Sequence, residues 1–397
     1  MGICRGCSSI NTNGCILVVK LIMKIVSISE DQSIEKRVAI TPDIAKKYIS
    51  LGLEVHLSKN YAEHLGFKDS DYEEVGVRIN DNDDEIIKQA DIIIQLGLLN
   101  EKKTSSIKEN QTLIGVFNPY INKDRIDNLV KKKVNVFSLE LLPRITRAQS
   151  MDILSSQANL AGYKAVIDAA EKFKKAFPMM MTAAGRVNPA KVMILGVGVA
   201  GLQAIATAKR LGAVVSATDV RSATKEQVES LGAKFIMVED EESKQSETSG
   251  GYAKEMSKEY KEKQALLIAE TISKQDIIIC TALIPGKKAP ILVTEKMVES
   301  MANGSVIVDL AVESGGNCPL SKIGEIVNHK GVQILGYTNV PGRVAKDASS
   351  LYAKNIINFL NILINQDEKK IKIDWNDEII NSVILSHEGD IKLENFK

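Results

Sequence analysis

Short apolar runs alternate along the chain with segments that have the hydrophobic period of a helix. Runs of this length, rich in β-branched residues and separated by helices, are typical of parallel sheets. A first series predicts strands at Lys24–Ser27, Glu54–Leu57, Ile92–Leu96, Leu113–Val116 and Val134–Ser138. A second series predicts strands at Lys191–Leu195, Ala213–Thr218, Lys234–Val238, Asp276–Cys280, Ser305–Asp309 and Val332–Leu335. Six parallel strands suffice for a complete dinucleotide-binding sheet.

Helical segments lie between these strands and between the two series. They are predicted at Pro42–Leu51 with Thr41 as N-cap, Lys123–Lys132, Val199–Leu211, Ala223–Leu231 and about Lys254–Thr271. A long helix follows a capping box formed by Thr146 and Gln149, and a second spans about Ala345–Leu363. The predicted fold is therefore α/β, with two doubly wound Rossmann-like domains joined by long helices.

The same pattern predicts where the domains begin and end. Residues 1–22 are expected to be a leader or disordered tail, and 23–147 an N-terminal α/β domain. Residues 148–342 are expected to form a nucleotide-binding Rossmann domain, and 343–397 a C-terminal segment that returns to the first domain.

Composition excludes several classes of function. The chain has 397 residues with 51 Lys+Arg and 50 Asp+Glu, a net charge of +1, and only 5% aromatic residues, which disfavours a nucleic-acid binder. Its longest apolar run, Val192–Ala208, is interrupted by three glycines and Gln203, so no transmembrane helix is predicted. The odd count of 5 cysteines argues against a disulfide scaffold and for a reducing cytosol. The pair Cys4 and Cys7 favours an unstructured leader over half a zinc site, and no metal is expected.

The clearest chemical motif is a glycine turn, Gly196, Gly198 and Gly201, between a predicted strand and a predicted helix. Asp219 follows the first glycine by 23 residues, close to the spacing of about 20 in dinucleotide-binding folds. The glycines permit a tight turn, a close approach of backbone to a pyrophosphate, and helix–strand packing. A carboxylate at Asp219 favours NAD(H) over NADP(H), although Arg221 is a residue type that can serve a 2′-phosphate.

An acid–base apparatus is less evident. The four histidines, His56, His64, His329 and His387, avoid the strand-end loops of the second series. Polar residues cluster instead at Arg144, Arg147, Gln149, Asp152 and Ser155. This cluster is either a solvated helix start with an incidental ion pair from Arg144 to Asp152, or a wall that positions an amide ring without titrating.

At these residues the sequence resembles the NAD(H)-binding component of proton-translocating transhydrogenase. The matching motifs are Pro143–Tyr163, Phe177–Gly185, Gly196–Val220, Thr281–Gly286, Asp309–Asn317 and Thr338–Pro341. The resemblance covers about Met23 to Leu363, and alanine dehydrogenase shares the fold and some of the motifs.

The resemblance implies roles for particular residues. The catalytic set would be Arg144, Gln149, Asp152, Ser155 and Tyr252, with Tyr252 on a mobile loop that closes over the nucleotide. The NAD(H) contacts would be Arg144, Ile145, Thr146, Gln149, Gly196, Gly198, Val199, Gly201, Asp219, Val220, Arg221, Gly251, Gln264, Thr281 and Leu283.

The resemblance also implies a mechanism and partners. Hydride would pass directly between NAD(H) on this chain and NADP(H) on a partner subunit or domain, coupled to proton movement through a membrane-spanning partner. The chain would be a homodimer of the separate, soluble type, held on the cytoplasmic face of the inner membrane through its partners.

Two other functions stay open at this stage. An alanine dehydrogenase would need a Lys-x-Lys-Glu-Pro stretch and a histidine, where this chain has Gln95–Leu99 and Val116–Pro119. A non-catalytic NAD-binding module would bind NADH without transferring hydride.

Overall fold

A computed structural model describes residues 22–238, 257–284, 286–365 and 367–396 of the chain. The strands of the described ranges are β1 Lys24–Ser27, β2 Glu54–Ser58, β3 Arg78–Asn80, β4 Ile92–Ile94, β5 Thr112–Gly115, β6 Asn135–Ser138, β7 Met180–Thr182, β8 Gly185–Val187, β9 Lys191–Leu195, β10 Val214–Thr218, β11 Lys234–Phe235, β12 Ile277–Cys280, β13 Val306–Asp309, β14 Ile326–His329, β15 Val332–Leu335, β16 Ile364–Asn365, β17 Lys370–Ile371, β18 Ile384–His387 and β19 Asp390–Ile391.

The helices between the strands are mostly short, apart from Lys258–Ile272, the helix after the glycine turn and the two that connect the sheets. Their bounds are Pro42–Ser50, Asp69–Glu73, Asp83–Gln89, Glu101–Ser105, Lys123–Lys131, Ile153–Lys172, Val199–Arg210, Thr224–Ser230, Lys258–Ile272, Glu295–Ser300, Ala345–Leu363 and Glu378–Val383. In the described ranges, no helix is both long and apolar enough to span a membrane.

The first sheet has eight strands in the order β19-β18-β6-β5-β4-β1-β2-β3. Strands β1 to β6 pair in parallel, whereas β18 pairs antiparallel with β6 and with β19. Among the parallel strands the order is that of a doubly wound sheet, so the strand order reverses between β1 and β4.

The second sheet has seven strands in the order β11-β10-β9-β12-β13-β15-β14. Six of them are parallel, and β14 is antiparallel to β15. The order reverses between β9 and β12, and ligands of doubly wound sheets bind at the carboxyl ends of strands at that point. The predicted fold class, two doubly wound Rossmann-like domains joined by long helices, is confirmed.

Two predicted strands are at least two residues shorter than expected, and polar side-chain contacts follow each of them. The strand predicted to reach Leu96 stops at Ile94, and the side chain of buried Gln95 bonds to the backbone of Ile28. The strand predicted at Lys234–Val238 stops at Phe235, and the Val238 amide donates instead to the side chain of Gln264. Strands β3, β7, β8 and β14 and those after Ile364 lacked a clear apolar run and were not predicted individually.

The helix Ile153–Lys172, here called the interdomain helix, begins later than its predicted capping box. Thr146–Met151 is a 3₁₀ turn, and Asp152 is the N-cap, with its carboxylate accepting a hydrogen bond from the Ser155 amide at 2.9 Å. The prediction of a cap at Thr146 was therefore wrong. Asp is at least as good an N-cap as Thr, and Asp152 immediately precedes the first helical residue.

The helix Ala345–Leu363, here called the return helix, brings the chain back to the first domain. Its inward face, Tyr352, Ala353, Ile356, Phe359 and Leu360, belongs to the same apolar core as the strands β1, β2 and β4. The chain then adds β18 and β19 to the edge of the first sheet. Both connections between the sheets are thus long helices.

Candidate functional site

The glycine turn lies where β9 ends, at the point of reversal in the second sheet. Gly196 has φ +98°, and a Cβ there would lie 2.7 Å from the Thr281 hydroxyl oxygen. A Cβ on Gly201 would lie 2.0 Å from the Gly196 carbonyl oxygen. At both positions only glycine fits. Gly196 lies against the loop after β12, and Gly201, in the following helix, lies against the turn itself.

Gly198 is different, because a Cβ there would meet nothing within 4 Å. It is the N-cap of the helix Val199–Arg210, whose first amides have no partner within the helix. Open space at a helix N-terminus, bounded by glycine backbone, fits the pyrophosphate of a dinucleotide. The turn therefore has the geometry that NAD(H) binding requires.

Asp219 follows β10 and is tied to the glycine turn. Its Oδ2 accepts from the Val197 amide at 2.7 Å, and its Oδ1 accepts from the amide and the Nε of Arg221, both at 2.9 Å. Burial raises the pKa of Asp219, but the hydrogen bonds from Arg221 and Val197 outweigh burial and hold the pKa below its ordinary value. Asp219 is thus an ionised acceptor at neutral pH.

Arg221 folds back onto this carboxylate instead of pointing into solvent. Its Nη2 donates to Asp219 Oδ2 at 3.1 Å and to the Val197 carbonyl at 3.2 Å. Counting the backbone bonds, all four lone pairs of the carboxylate are occupied. A ribose that bonds to Asp219 must displace Arg221, and an Arg221 held in this way is a poor partner for a 2′-phosphate.

The loop after β12 forms the opposite wall. The Thr281 hydroxyl donates to the Gly196 carbonyl at 2.9 Å, and Leu283 is 54% exposed. Asn317 holds this loop, donating from Nδ2 to the carbonyls of Ala282 at 3.0 Å and Pro290 at 2.7 Å. Fully buried Asp309 in turn accepts from the amides of Asn317 and Cys318.

Asn317 and Asp309 are supporting residues that the site prediction did not include. The signal was present, because Asp309 ends an apolar strand and a buried carboxylate needs several donors. Glu140 is a similar case in the first domain, where it accepts from the amides of Phe117 at 2.8 Å and Asn118 at 2.6 Å.

The polar cluster predicted near residue 150 is only partly assembled. Asp152 and Ser155 are joined, with the Ser155 hydroxyl donating to Asp152 Oδ2 at 2.5 Å. Arg147 pairs with Asp377 of the C-terminal segment, donating from Nη1 at 2.9 Å. Within the described ranges no hydrogen bond or ion pair joins Arg144 to Asp152, so the suggested fold-back is not observed.

The remaining predicted contacts fall into two groups. Arg144, Thr146, Gln149, Val199 and Val220 present exposed side chains, Val220 at 82%. Ile145 packs against the first core, and Gln264 bonds to Val238, Ile236 and Thr218, so both have structural partners. Gly251 and Tyr252 lie outside the described residues.

The histidines take no part in this site. In the described ranges none of them forms a hydrogen bond or ion pair with the glycine turn or with the polar cluster at 144–155. His329 lies beside Glu295 and Glu299, a group whose potential ligand atoms fall within 4.8 Å of one another. Lys330 already neutralises Glu299 there at 2.6 Å, on the far edge of the second sheet.

The chain has two doubly wound sheets, and an open glycine turn lies where the strand order of the second sheet reverses. These features define a protein of the dinucleotide-binding fold class. Family models for the N-terminal and C-terminal domains of alanine dehydrogenase/PNT match residues 27–161 and 165–394, and the chain belongs to this family.

The chain is more similar to transhydrogenase subunits than to alanine dehydrogenases. The first portion of the alpha subunit of NAD(P) transhydrogenase from Rhodospirillum rubrum is 52% identical over 374 residues, which cover 93% of this chain and 97% of that protein. A crystal structure of transhydrogenase from Sinorhizobium meliloti superposes with a TM-score of 0.84 at 47% identity, covering 92% of this chain and 99% of that one. Alanine dehydrogenase of Methanococcus maripaludis is 26% identical, over 86% of this chain and 87% of that protein.

Proposed function

We propose that this chain is the NAD(H)-binding subunit of a proton-translocating transhydrogenase. The observation that carries the proposal is the glycine turn with Asp219 held beside it, together with a polar cluster at 144–155 to which none of the described histidines is bonded. The similarity to subunits named NAD(P) transhydrogenase supports the same assignment.

In the proposed mechanism, bound NADH supplies the hydride and this chain binds and orients it. The amides at the start of the helix Val199–Arg210 receive the pyrophosphate, and Asp219 exchanges its side-chain bonds from Arg221 for bonds to the adenosine ribose. Asp152 is fixed by Ser155, so its carboxylate keeps one orientation. Arg144 and Gln149 are exposed donors that can hold a carboxamide without exchanging a proton.

Direct transfer between two nicotinamides needs no proton in the chemical step, so a site built from positioning residues suffices for it. The acceptor would be NADP(H) on a partner subunit, and a separate membrane-spanning partner would carry the protons. Docking on these partners would hold the chain at the cytoplasmic face of the inner membrane. Gly251 and Tyr252 remain proposed contacts of the nucleotide.

We also propose that the chain forms a homodimer through the hairpin of β7 and β8. Every residue from 178 to 188 is exposed, including Met179, Met180, Met181 and Val187. An isolated two-stranded hairpin is marginally stable in water, and an exposed apolar ribbon is typical of an interface. The same ribbon of a second copy offers matching apolar surface across a two-fold axis.

The sheets also support the proposed domain division of 23–147, 148–342 and 343–397. Strands β1 to β6 precede the second sheet in the chain, and β18 and β19 return to the first sheet after it.

Alanine dehydrogenase is the less favoured alternative. Gln95 stands in the stretch where that enzyme has lysines, and it is 1% exposed, accepting from Ser27 Oγ at 3.0 Å and the Ile28 amide at 2.8 Å. A buried amide with satisfied partners cannot act as a base. Pyruvate- and ammonia-dependent NADH oxidation by this chain alone would establish the alternative.

The decisive experiment is hydride exchange between NADH and an NADP⁺ analogue after a folded NADP-binding partner is added. We expect turnover with the partner and none without it. Gln149→Ala should lower turnover more than NADH affinity, because the residue orients the ring. Gln89→Ala, an exposed change at a distance from the glycine turn, is the matched control. Binding of NADH without transfer to any folded partner would instead favour a non-catalytic module.

A further inference from the structure

A polar crossing between the two domains is centred on Asn339, just after β15. Its Nδ2 donates to the Ile34 carbonyl at 3.1 Å and to Glu35 Oε2 at 3.0 Å, both in the loop after β1 of the first domain. Its backbone has φ +41°, in the left-handed region, and its Oδ1 accepts from the Gly342 amide at 3.3 Å. The side chain is thus held in one position and directed across the domain boundary.

On the first-domain side, Glu35 is fixed by Arg37. The two side chains are each only 15% exposed, and Arg37 Nη2 lies 2.6 Å from Glu35 Oε2. Arg37 Nη1 also donates to Gln157 of the interdomain helix at 2.7 Å, and Gln157 donates to the Ala348 carbonyl of the return helix at 3.1 Å. Glu35 is therefore tied to both connecting helices. Burial raises the pKa of Glu35, but the bonds from Arg37 outweigh it and keep the carboxylate ionised.

On the second-domain side, Asn339 is linked to the glycine turn. Its backbone amide donates to Glu313 Oε2 at 3.1 Å. Glu313 lies in the 3₁₀ turn Val312–Ser314. Asp309 holds the start of this turn, because its carboxylate accepts from the Ala311 amide at 3.0 Å. Asp309 holds Asn317, and Asn317 holds the loop of Thr281 that bonds to Gly196. The crossing thus joins the first domain to the wall of the nucleotide site.

We propose that Glu35 and Asn339 are positioning residues that fix the orientation of the first domain relative to the glycine turn. This inference rests on the proposed function. Arg144 and Gln149 follow the last parallel strand of the first sheet, whereas the glycine turn belongs to the second sheet, so hydride transfer depends on how the two domains are oriented. Reacting atoms must be aligned at about 3–3.5 Å, so a small rotation between the domains lowers the rate sharply.

The sharpest variant is Asn339→Asp. Asp tolerates left-handed backbone and keeps an oxygen for Gly342, but it places a carboxylate against the carboxylate of Glu35. We expect at least a tenfold lower hydride-transfer rate at saturating NADH, with less than a threefold change in NADH affinity. Adding Glu35→Gln lets an amide donate to the carboxylate introduced by Asn339→Asp and should recover much of the rate. Asn328→Asp, which keeps its bond to the Gly331 amide within one turn, is the control.

A second readout does not depend on activity. Lys46 and Lys296 are exposed, one in each domain, and each can be replaced by a cysteine that carries a spin label. With Cys4, Cys7 and Cys15 replaced by serine, the two labels report the distance between the domains. We expect a narrow distribution in the parent chain, a broader one in Asn339→Asp, and narrowing in the double variant. An unchanged distribution in Asn339→Asp would overturn the inference. A parent chain that transfers no hydride with a folded partner would defeat the proposed function, and the distance measurement would still decide on the positioning pair.

Discussion

At the scale of single residues, Asp219 carries most of the predicted selectivity for NAD(H). Asp219→Ala removes an acceptor that is 7% exposed, so NADH binding should weaken by about 1–3 kcal/mol. Titration of NADH fluorescence measures the change. Asp276→Ala is the matched control, because Asp276 accepts from the Lys191 amide at the amino ends of β9 and β12, away from the glycine turn. Equal NADH affinity in the parent chain and in Asp219→Ala would contradict the assignment to the ribose.

Glu30 is a residue-scale source of pH dependence. Burial raises its pKa to about 7 from 4.5, although the Leu96 amide donates to it at 2.8 Å. Between these two values the folded chain keeps a proton that the unfolded chain releases. The free energy of unfolding therefore falls as the pH rises through this range, by up to about 3 kcal/mol.

Thermal unfolding at several pH values tests this prediction. Glu30→Gln keeps the hydrogen-bonding shape without the titration, so its melting temperature relative to the parent chain should be higher at pH 8 than at pH 5. Glu325→Gln removes a charge at an exposed position and should show no such trend. A melting difference for Glu30→Gln that is the same at both pH values would show that Glu30 does not titrate in this range.

At the scale of elements, the interdomain helix and the helix after the glycine turn are in close contact. A Cβ on Gly162 would lie 2.1 Å from the Ala200 carbonyl oxygen. Gly→Ala inside a helix normally stabilises by about 1 kcal/mol, but here we expect destabilisation of about 1–3 kcal/mol and weaker NADH binding. Gly97→Ala, where a Cβ meets nothing within 4 Å, is the control for urea unfolding and NADH titration. A stabilised Gly162→Ala chain would mean that the two helices are further apart.

The elements also show how much the sequence could predict. The β-branched runs predicted both sheets, because a strand buried on both faces must be apolar over its whole length. Local pattern could not place the start of the interdomain helix, since Thr146 and Asp152 both resemble caps. It also could not show that Arg221 folds onto Asp219, because Arg221 and a ribose compete for the same carboxylate. Nor could it show that Asn317 and Asp309 support the wall, because Asn317 does so through residues distant in the chain.

At the scale of the whole molecule, the exposed hairpin predicts the oligomeric state. Met181 is 70% exposed in one chain, so Met181→Lys should leave the folded monomer intact but place an unpaired charge in the proposed dimer interface. We expect the parent chain to sediment as a dimer at micromolar concentration and Met181→Lys to raise the dissociation constant at least 100-fold. Ile323→Lys, at an apolar side chain 63% exposed outside the hairpin, should remain dimeric. A dimeric Met181→Lys would place the interface elsewhere, and a monomeric parent chain would exclude the homodimer itself.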